Sequence, residues 1–98
     1  MITTTAELRT VHASKYLMQL CKHFAHRIDV VYTDTHGECR FVCGTAILDA
    51  DDDQLRIATM ADDDGQLAQT QDVIESHLIR FAFREGLSSL DWTTVGAA

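Results

Sequence analysis

Apolar residues recur at helical spacing in two stretches of the chain and alternate with polar residues in several others. In the first helical stretch they occupy positions i, i+3, i+4 and i+7, and they are Leu17, Leu20, Cys21 and Phe24. In the second stretch they are Leu67, Ile74, Leu78 and Phe81. These stripes predict a helix over residues 14–27, with Ser14 as its N-cap, and a helix over residues 65–85 that begins after the carboxylates of residues 62–64.

Period-two alternation predicts five strands, over residues 2–9, 28–33, 38–43, 45–50 and 55–60. The apolar tail, formed by Leu87, Leu90 and Trp92, predicts a short final strand. Polar turns separate the four central strands, which is typical of an antiparallel meander. The resulting order, β-α-β-β-β-β-α-β, predicts an α+β two-layer sandwich with both helices on one face of a mainly antiparallel sheet. A chain of 98 residues has room for one core, so we expect a single domain over residues 1–98.

Charge is unevenly distributed along a chain whose formal net charge is −7. Residues 1–27 contain four basic residues and one acidic residue, whereas residues 28–76 contain two basic and twelve acidic residues. This acidic balance argues against broad binding to nucleic acid or to an anionic membrane surface. No apolar run approaches the roughly 18 residues of a membrane span, and the N-terminus lacks a secretory pattern, so we expect a cytoplasmic protein.

The chain contains three cysteines, Cys21, Cys39 and Cys43. An odd number without an export signal fits a reducing compartment, so we expect small buried hydrophobic side chains rather than disulfides. If residues 38–43 are one strand, Cys39 and Cys43 lie roughly 13 Å apart, which is beyond the reach of a disulfide.

Basic and aromatic residues flank the apolar stripes of both predicted helices. On the first helix they are Tyr16, His23 and Arg27, and on the second they are His77, Arg80 and Arg84. If the helices lie side by side with these flanks facing each other, the groove between them suits a small anionic ligand that carries a carboxylate or phosphate. Alternatively, Arg80 and Arg84 are ordinary solvated charges, or they pair with nearby carboxylates.

The histidines provide a second hypothesis, which is metal or haem handling by His23, His26 and His77. His23 and His26 lie at positions i and i+3 of a helix, but any third ligand must come from a tertiary contact. No nucleophile motif, phosphate loop or acid–base pair is evident, so an enzyme is the less favoured class and we expect no catalytic residues and no cofactor.

Ile79 and Phe83 lie opposite the apolar stripe of the second helix. An apolar patch away from the core is covered either by another part of the chain or by another subunit. We therefore expect either the apolar tail or a homodimer partner to cover these two residues.

Two blocks of the sequence resemble the bacterial family known as domain of unknown function 2218. The first block runs from His12 to Leu17 and continues to His26, and the second runs from His77 to Glu85, with Gly44 at the matching position between them. The resemblance extends over residues 3–93 and implies a small, bacterial, cytosolic α+β protein.

Some members of that family are encoded beside, or fused to, siderophore-interacting flavoproteins. The resemblance therefore implies an accessory role in iron or siderophore use, with such a flavoprotein as a candidate partner. Combined with the basic helix flanks, it leads us to expect a non-enzymatic domain that binds a ferric chelate, another small anion or an acidic segment of a partner.

Overall fold

The fold is a six-stranded sheet covered on one face by two helices, as seen in a computed structural model that describes residues 1–87 and 89–95. The elements are β1 (Ile2–Arg9), α1 (Ala13–Phe24), β2 (Asp29–Tyr32), β3 (His36–Arg40), β4 (Thr45–Ala50), β5 (Gln54–Ala61), α2 (Asp64–Phe81), a 3-10 turn (Phe83–Glu85) and β6 (Thr93–Val95). The predicted element order and the α+β two-layer class are confirmed, although the final strand begins at Thr93, after the tail residues Leu87, Leu90 and Trp92 that predicted it.

Every pairing in the sheet is antiparallel, and the strand order is β2-β3-β4-β5-β1-β6. Alternate residues of each central strand are buried beneath the helices, as Ala46, Leu48 and Ala50 are on β4. The opposite face carries a row of paired residues of alternating charge, which runs across four strands as His36, Asp49, Arg56 and Glu7. The apolar layer between helices and sheet therefore forms the core, and the other face is polar.

The stripes predicted for the two helices form most of their buried surface. Leu17, Leu20 and Cys21 on α1 are fully buried, and so are Ile74 and Leu78 on α2. Removal of their apolar surface from water supplies the main free energy that holds the helices on the sheet.

The helices are shorter than predicted. The predicted helix over 14–27 ends at Phe24, because Phe24 is the last residue of the buried stripe and residues 25–27 form an exposed turn. Ser14 is not the N-cap, since its hydroxyl donates to the carbonyl of Asp34 at 2.6 Å. The second helix ends at Phe81 and continues as the 3-10 turn, whereas its predicted start is confirmed by Asp63, which caps it by accepting from the amide of Gln66.

The predicted strand over 38–43 ends at Arg40, and the next four residues form a tight hairpin between β3 and β4. Phe41 and Gly44 close this hairpin through hydrogen bonds in both directions between their main-chain groups. Gly44 is packed so closely that an added Cβ would overlap the carbonyl oxygen of Met60 and the hydroxyl of Thr70. A side chain at position 44 is therefore sterically excluded, and the hairpin fixes the position of Phe41.

Within the described part of the chain, neither helix combines the length and the apolar character required to cross a membrane.

Candidate functional site

The helices run antiparallel and form a groove on the surface of the helical layer. At one end of the groove, Tyr16 near the start of α1 donates a hydrogen bond to Glu85, beyond the end of α2. Further along, the His23 and His77 rings approach to 4.8 Å between centroids. The flanks that carry the two histidines therefore do face each other.

A cavity of about 390 Å³, here called the histidine cavity, lies at the end of the groove near the C-terminus of α1. Its lining residues are His23, Phe24, Arg27, Ile28, Phe41, Val73 and His77. Rings form much of the wall, since Phe24 contacts Phe41 and His77 edge-on, each at 4.9 Å between centroids. The cavity thus combines an apolar aromatic interior with three nitrogen-bearing side chains.

The protonation of His77 is constrained by its own helix. Its Nδ1 lies 2.7 Å from the carbonyl oxygen of Val73, and because a carbonyl only accepts hydrogen bonds, Nδ1 must carry the hydrogen. The hydrogen bonds formed among the described residues leave Nε2 of His77 without a partner. A neutral His77 therefore offers only an acceptor at Nε2, and it donates to a ligand there only after gaining a proton.

His23 stands in a positive environment. Desolvation by its surroundings is the largest cause that holds the pKa of His23 below the usual 6.5, and the positive charges of His77, Arg27, Arg80 and His26 lower the pKa further. A bound anion would reverse this electrostatic effect, because it would stabilise the protonated imidazole.

The other end of the groove contains a second, smaller cavity of about 280 Å³, here called the Arg84 cavity. Its lining residues are Lys15, Tyr16, Gln19, Phe81, Phe83 and Arg84. The guanidinium of Arg84 lies over the ring of Phe83, 5.6 Å from its centroid. Phe81 lies between the cavities, since it also contacts the ring of His23 at 5.9 Å.

The six predicted ligand-binding residues are therefore distributed over two cavities. His23, Arg27 and His77 line the histidine cavity, whereas Tyr16 and Arg84 line the Arg84 cavity. Arg80 is exposed, lines neither cavity, and acts on His23 through its charge.

The Tyr16 hydroxyl is already engaged with Glu85, which also accepts from Thr10 at 2.9 Å. In the described chain, none of the ion pairs involves Arg80 or Arg84. The predicted alternative in which these arginines pair with nearby carboxylates is therefore not what the side chains adopt.

The three predicted metal ligands are only partly brought together. His23 and His77 are in contact, and His26 lies in the exposed turn after α1. Among residues 1–87 and 89–95, no three or more His, Cys, Asp or Glu side chains are grouped so that they could hold a metal ion.

The residues of the predicted dimer patch differ in exposure. Ile79 is half-buried, whereas Phe83 is 67% exposed. Leu87, Leu90 and Trp92 of the tail pack against the main core. The homodimer stays a prediction.

Sequence reasoning missed two walls of the histidine cavity, Phe41 and Val73. The strand predicted over 38–43 includes Phe41, which instead begins the hairpin, and Val73 lies one position away from the α2 stripe. The only available signal was that Val73 precedes His77 by four residues, which places both on one side of the helix.

The fold and the sequence together place the chain in a class of small bacterial proteins. Residues 5–93 match the family described as "Uncharacterized protein conserved in bacteria (DUF2218)", and the chain belongs to this family. Among solved structures, it is similar to the NMR structure of PA4090 from Pseudomonas aeruginosa, with 31% sequence identity and a TM-score of 0.78. That match covers 99% of this chain and 98% of the other. No curated protein matches the sequence significantly.

Proposed function

We propose that the protein is a non-enzymatic binding domain whose histidine cavity holds a small aromatic anion. The observation that carries this proposal is the combination of Phe24 and Phe41 in the wall with Arg27, His23 and His77 around them. A ring fits the apolar wall, and a carboxylate fits the nitrogen donors. The volume of about 390 Å³ falls within the range of small-molecule sites.

The electrostatics support an anion rather than a cation. Twelve of the fifteen acidic residues lie in residues 28–76, and none of them lines the histidine cavity. The cavity is therefore a locally basic site on an acidic protein, and the surrounding charge favours a small ligand over a polyanion. The lining contains no serine, cysteine or lysine nucleophile and no carboxylate, which favours binding over catalysis.

The proposed link to iron or siderophore use concerns the identity of the ligand. Catechol and aryl-carboxylate groups of ferric chelates are flat and anionic, so they belong to the proposed ligand class. A siderophore-interacting flavoprotein would then be the partner that delivers or receives such a ligand. This part of the proposal is supported by the family resemblance, and the cavity constrains only the chemistry.

The proposal is tested with benzoate, salicylate and 2,3-dihydroxybenzoate, each compared with its neutral amide, by NMR titration of the labelled protein. We expect the acids to shift signals of His23, Phe41 and His77, with Arg27→Gln weakening binding about tenfold. Lys22→Gln is the matched control, because it also removes one positive charge near the C-terminal end of α1, at an exposed position outside the cavity. Equal binding of acids and amides, or equal effects of both variants, would disprove the proposal.

The same titration has an expected pH dependence. Desolvation and the neighbouring positive groups hold the pKa of His23 below 6.5, and a bound anion would stabilise its protonated imidazole. Affinity for benzoate should therefore rise as the pH falls towards about 6, by at most tenfold per pH unit for one linked proton. Affinity that does not change with pH would show that His23 takes up no proton when the ligand binds.

The alternative, metal or haem handling, is supported by the contact between the two imidazoles alone. Titration with Zn²⁺ distinguishes it from anion binding. A stoichiometric complex that is lost in His23→Gln and His77→Gln but retained in Arg27→Gln would replace the anion proposal. Shifts only at large metal excess would leave the anion proposal in place.

A further inference from the structure

The sheet face that points away from the helices, here called the open sheet face, carries an uncharged patch. The strand register places uncharged residues on it in two neighbouring rows, which cross β4, β5, β1 and β6 as Ile47, Ala58, Thr5 and Thr93 and as Thr45, Met60, Thr3 and Val95. Val31 on β2 lies at the other end of the first row and is 70% exposed. Uncharged surface of this extent is typical of a contact site for another protein.

The patch ends in a cavity of about 440 Å³ beside the hairpin between β3 and β4. Among its lining residues are four large apolar side chains, Met1, Val42, Ile47 and Met60. Met1 is 87% exposed, and Val42 is fully exposed. Exposed apolar side chains therefore gather at this end of the open sheet face, on a protein whose formal net charge is −7.

A row of four charged residues borders the patch on its other side. Along this row a basic residue alternates with an acidic one, as His36, Asp49, Arg56 and Glu7 on β3, β4, β5 and β1. Within one copy, Nδ1 of His36 lies 2.7 Å from Asp49, and Nε of Arg56 lies 3.7 Å from Glu7. The four side chains are about half exposed, so each can contact a further partner. Because the alternation has an even number of members, a half-turn places each basic residue over an acidic one.

We propose that the open sheet face is the interface of a homodimer, in which two copies pack face to face about a twofold axis that runs parallel to the strands, between β4 and β5. This axis divides the strand order β2-β3-β4-β5-β1-β6 into equal halves, so β4 lies over β5 of the partner and β3 lies over β1. Asp49 then meets the partner's Arg56, and His36 meets the partner's Glu7. In the next row, Ile47 covers the partner's Ala58.

The charges select this axis over one that is perpendicular to the strands. About a perpendicular axis centred on the same rows, each strand lies over itself, so His36 meets the partner's Arg40 and Arg56 meets the partner's Met60. Contact between like charges and burial of a charge against an apolar residue both disfavour that arrangement. About the proposed axis, the side chains of Glu38 and Arg40 lie over threonines of the partner, whose hydroxyls can hydrogen-bond with either charge.

The size of the open sheet face sets the strength that we expect. Six strands about 4.8 Å apart and three rows about 7 Å apart give a face of roughly 24 by 18 Å, so two copies bury on the order of 1,000 Å². This area is at the lower limit of specific interfaces, so we expect a dimer that dissociates on dilution, with a Kd of about 1–100 µM. The interface lies on the side of the sheet away from the histidine cavity, and it does not depend on the proposed function.

Sedimentation velocity from about 5 µM to about 1 mM tests the proposal on the wild-type protein and on two charge reversals. Arg56→Asp and Asp49→Arg each place like charges face to face, so each should weaken the dimer at least about tenfold. An equimolar mixture of the two variants should dimerise as well as the wild-type protein, because positions 49 and 56 are both acidic in one variant and both basic in the other. Rescue by mixing isolates the contact between copies, since the like charges within each copy persist.

Lys22→Asp is the matched control, because it reverses one charge at an exposed position of α1, and Phe83→Ser removes the exposed phenylalanine beside α2. Both should associate like the wild-type protein. If a charge reversal does not fold, isotope-filtered NOEs between Ile47 of a labelled wild-type copy and Ala58 of an unlabelled one decide the question. The proposal is overturned if the wild-type protein is monomeric at about 1 mM, if neither reversal weakens association, if mixing does not restore it, or if Phe83→Ser abolishes it.

Discussion

The packing of Cys21 against Gly37 gives a prediction about the free energy of unfolding. Gly37→Ala places a methyl group 2.6 Å from Sγ of Cys21, with Leu17 and the Cβ of Tyr32 closing off other space at 3.5 and 3.4 Å. Overpacking of this kind costs about 1–3 kcal/mol. Alanine returns about 0.5–1 kcal/mol by restricting the unfolded chain. We therefore expect Gly37→Ala to lower the free energy of unfolding by about 1–2 kcal/mol.

Cys21→Ala removes the sulfur with which the new methyl group collides. Alone, this substitution should cost about 1 kcal/mol, since it removes one buried atom of methylene size and leaves a small void. In the double variant the methyl group of Ala at position 37 fills that void, so Gly37→Ala should be neutral or slightly stabilising. The expected coupling is about 2 kcal/mol, well above the ~0.3–0.5 kcal/mol within which effects at distant sites normally add.

Urea unfolding of the reduced protein is followed by the fluorescence of the single tryptophan, Trp92, and by circular dichroism. It measures the free energy of unfolding of the wild-type protein, of Gly37→Ala, of Cys21→Ala and of the double variant. Gly37→Ala combined with Cys43→Ala is the control, because Cys43 does not approach Gly37 and these effects should add. Additivity between Gly37→Ala and Cys21→Ala would refute the idea that this glycine sets the distance between α1 and β3.

Three further predictions concern other parts of the fold. Gly44→Ala should lower the free energy of unfolding in urea by about 2–4 kcal/mol because its methyl group overlaps main chain. Gly65→Ala, whose methyl group on α2 would meet only Oδ1 of Asp63 at an ordinary contact distance of 3.5 Å, should raise it by about 0.5–1 kcal/mol. Tyr16→Phe should lower the free energy of unfolding by about 1 kcal/mol, because it removes the hydrogen bond to Glu85. Burial and then the bond to Glu85 raise the pKa of Tyr16, so the stability of the wild-type protein should fall more steeply than that of the variant as the pH exceeds about 10. A hydrogen bond to Asp49 raises the pKa of His36, so the charged imidazole stabilises the fold at low pH. In thermal melts, His36→Gln should therefore be less stable than the wild-type protein near about pH 5.5 and equally stable near about pH 9.

The layers of the fold could be predicted because the patterns that encode them are local. An apolar stripe such as Leu17 to Phe24 has one periodicity whatever packs against it, and the order of elements then limits the architecture. The ends of elements were less predictable, because Phe41 continues the alternation of a strand while the main chain already turns. Periodicity reports which residues share a face, and it contains no information about where a hairpin closes.

The candidate site was predictable only as far as helix faces determine it. His23 and His77 were identified from their positions beside the two stripes, and the structure brings them into contact. The separation of Tyr16 and Arg84 from these histidines depends on how Phe81 packs between the helices, which is a tertiary property. The close packing of Cys21 against Gly37 was equally inaccessible, because it joins residues of different elements and a glycine contributes nothing to an apolar pattern.

The pairing of β1 with β6 brings distant parts of the chain side by side. Thr3 lies opposite Val95 at one margin of the sheet, so a short glycine–serine connection across these strands spans little distance. A circularly permuted chain that begins at Cys43 and ends at Val42, which is fully exposed at the hairpin tip, should therefore refold with the same strand order. The same geometry makes this sheet suitable for insertion into a surface loop of a host protein, where entry and exit points must lie close together.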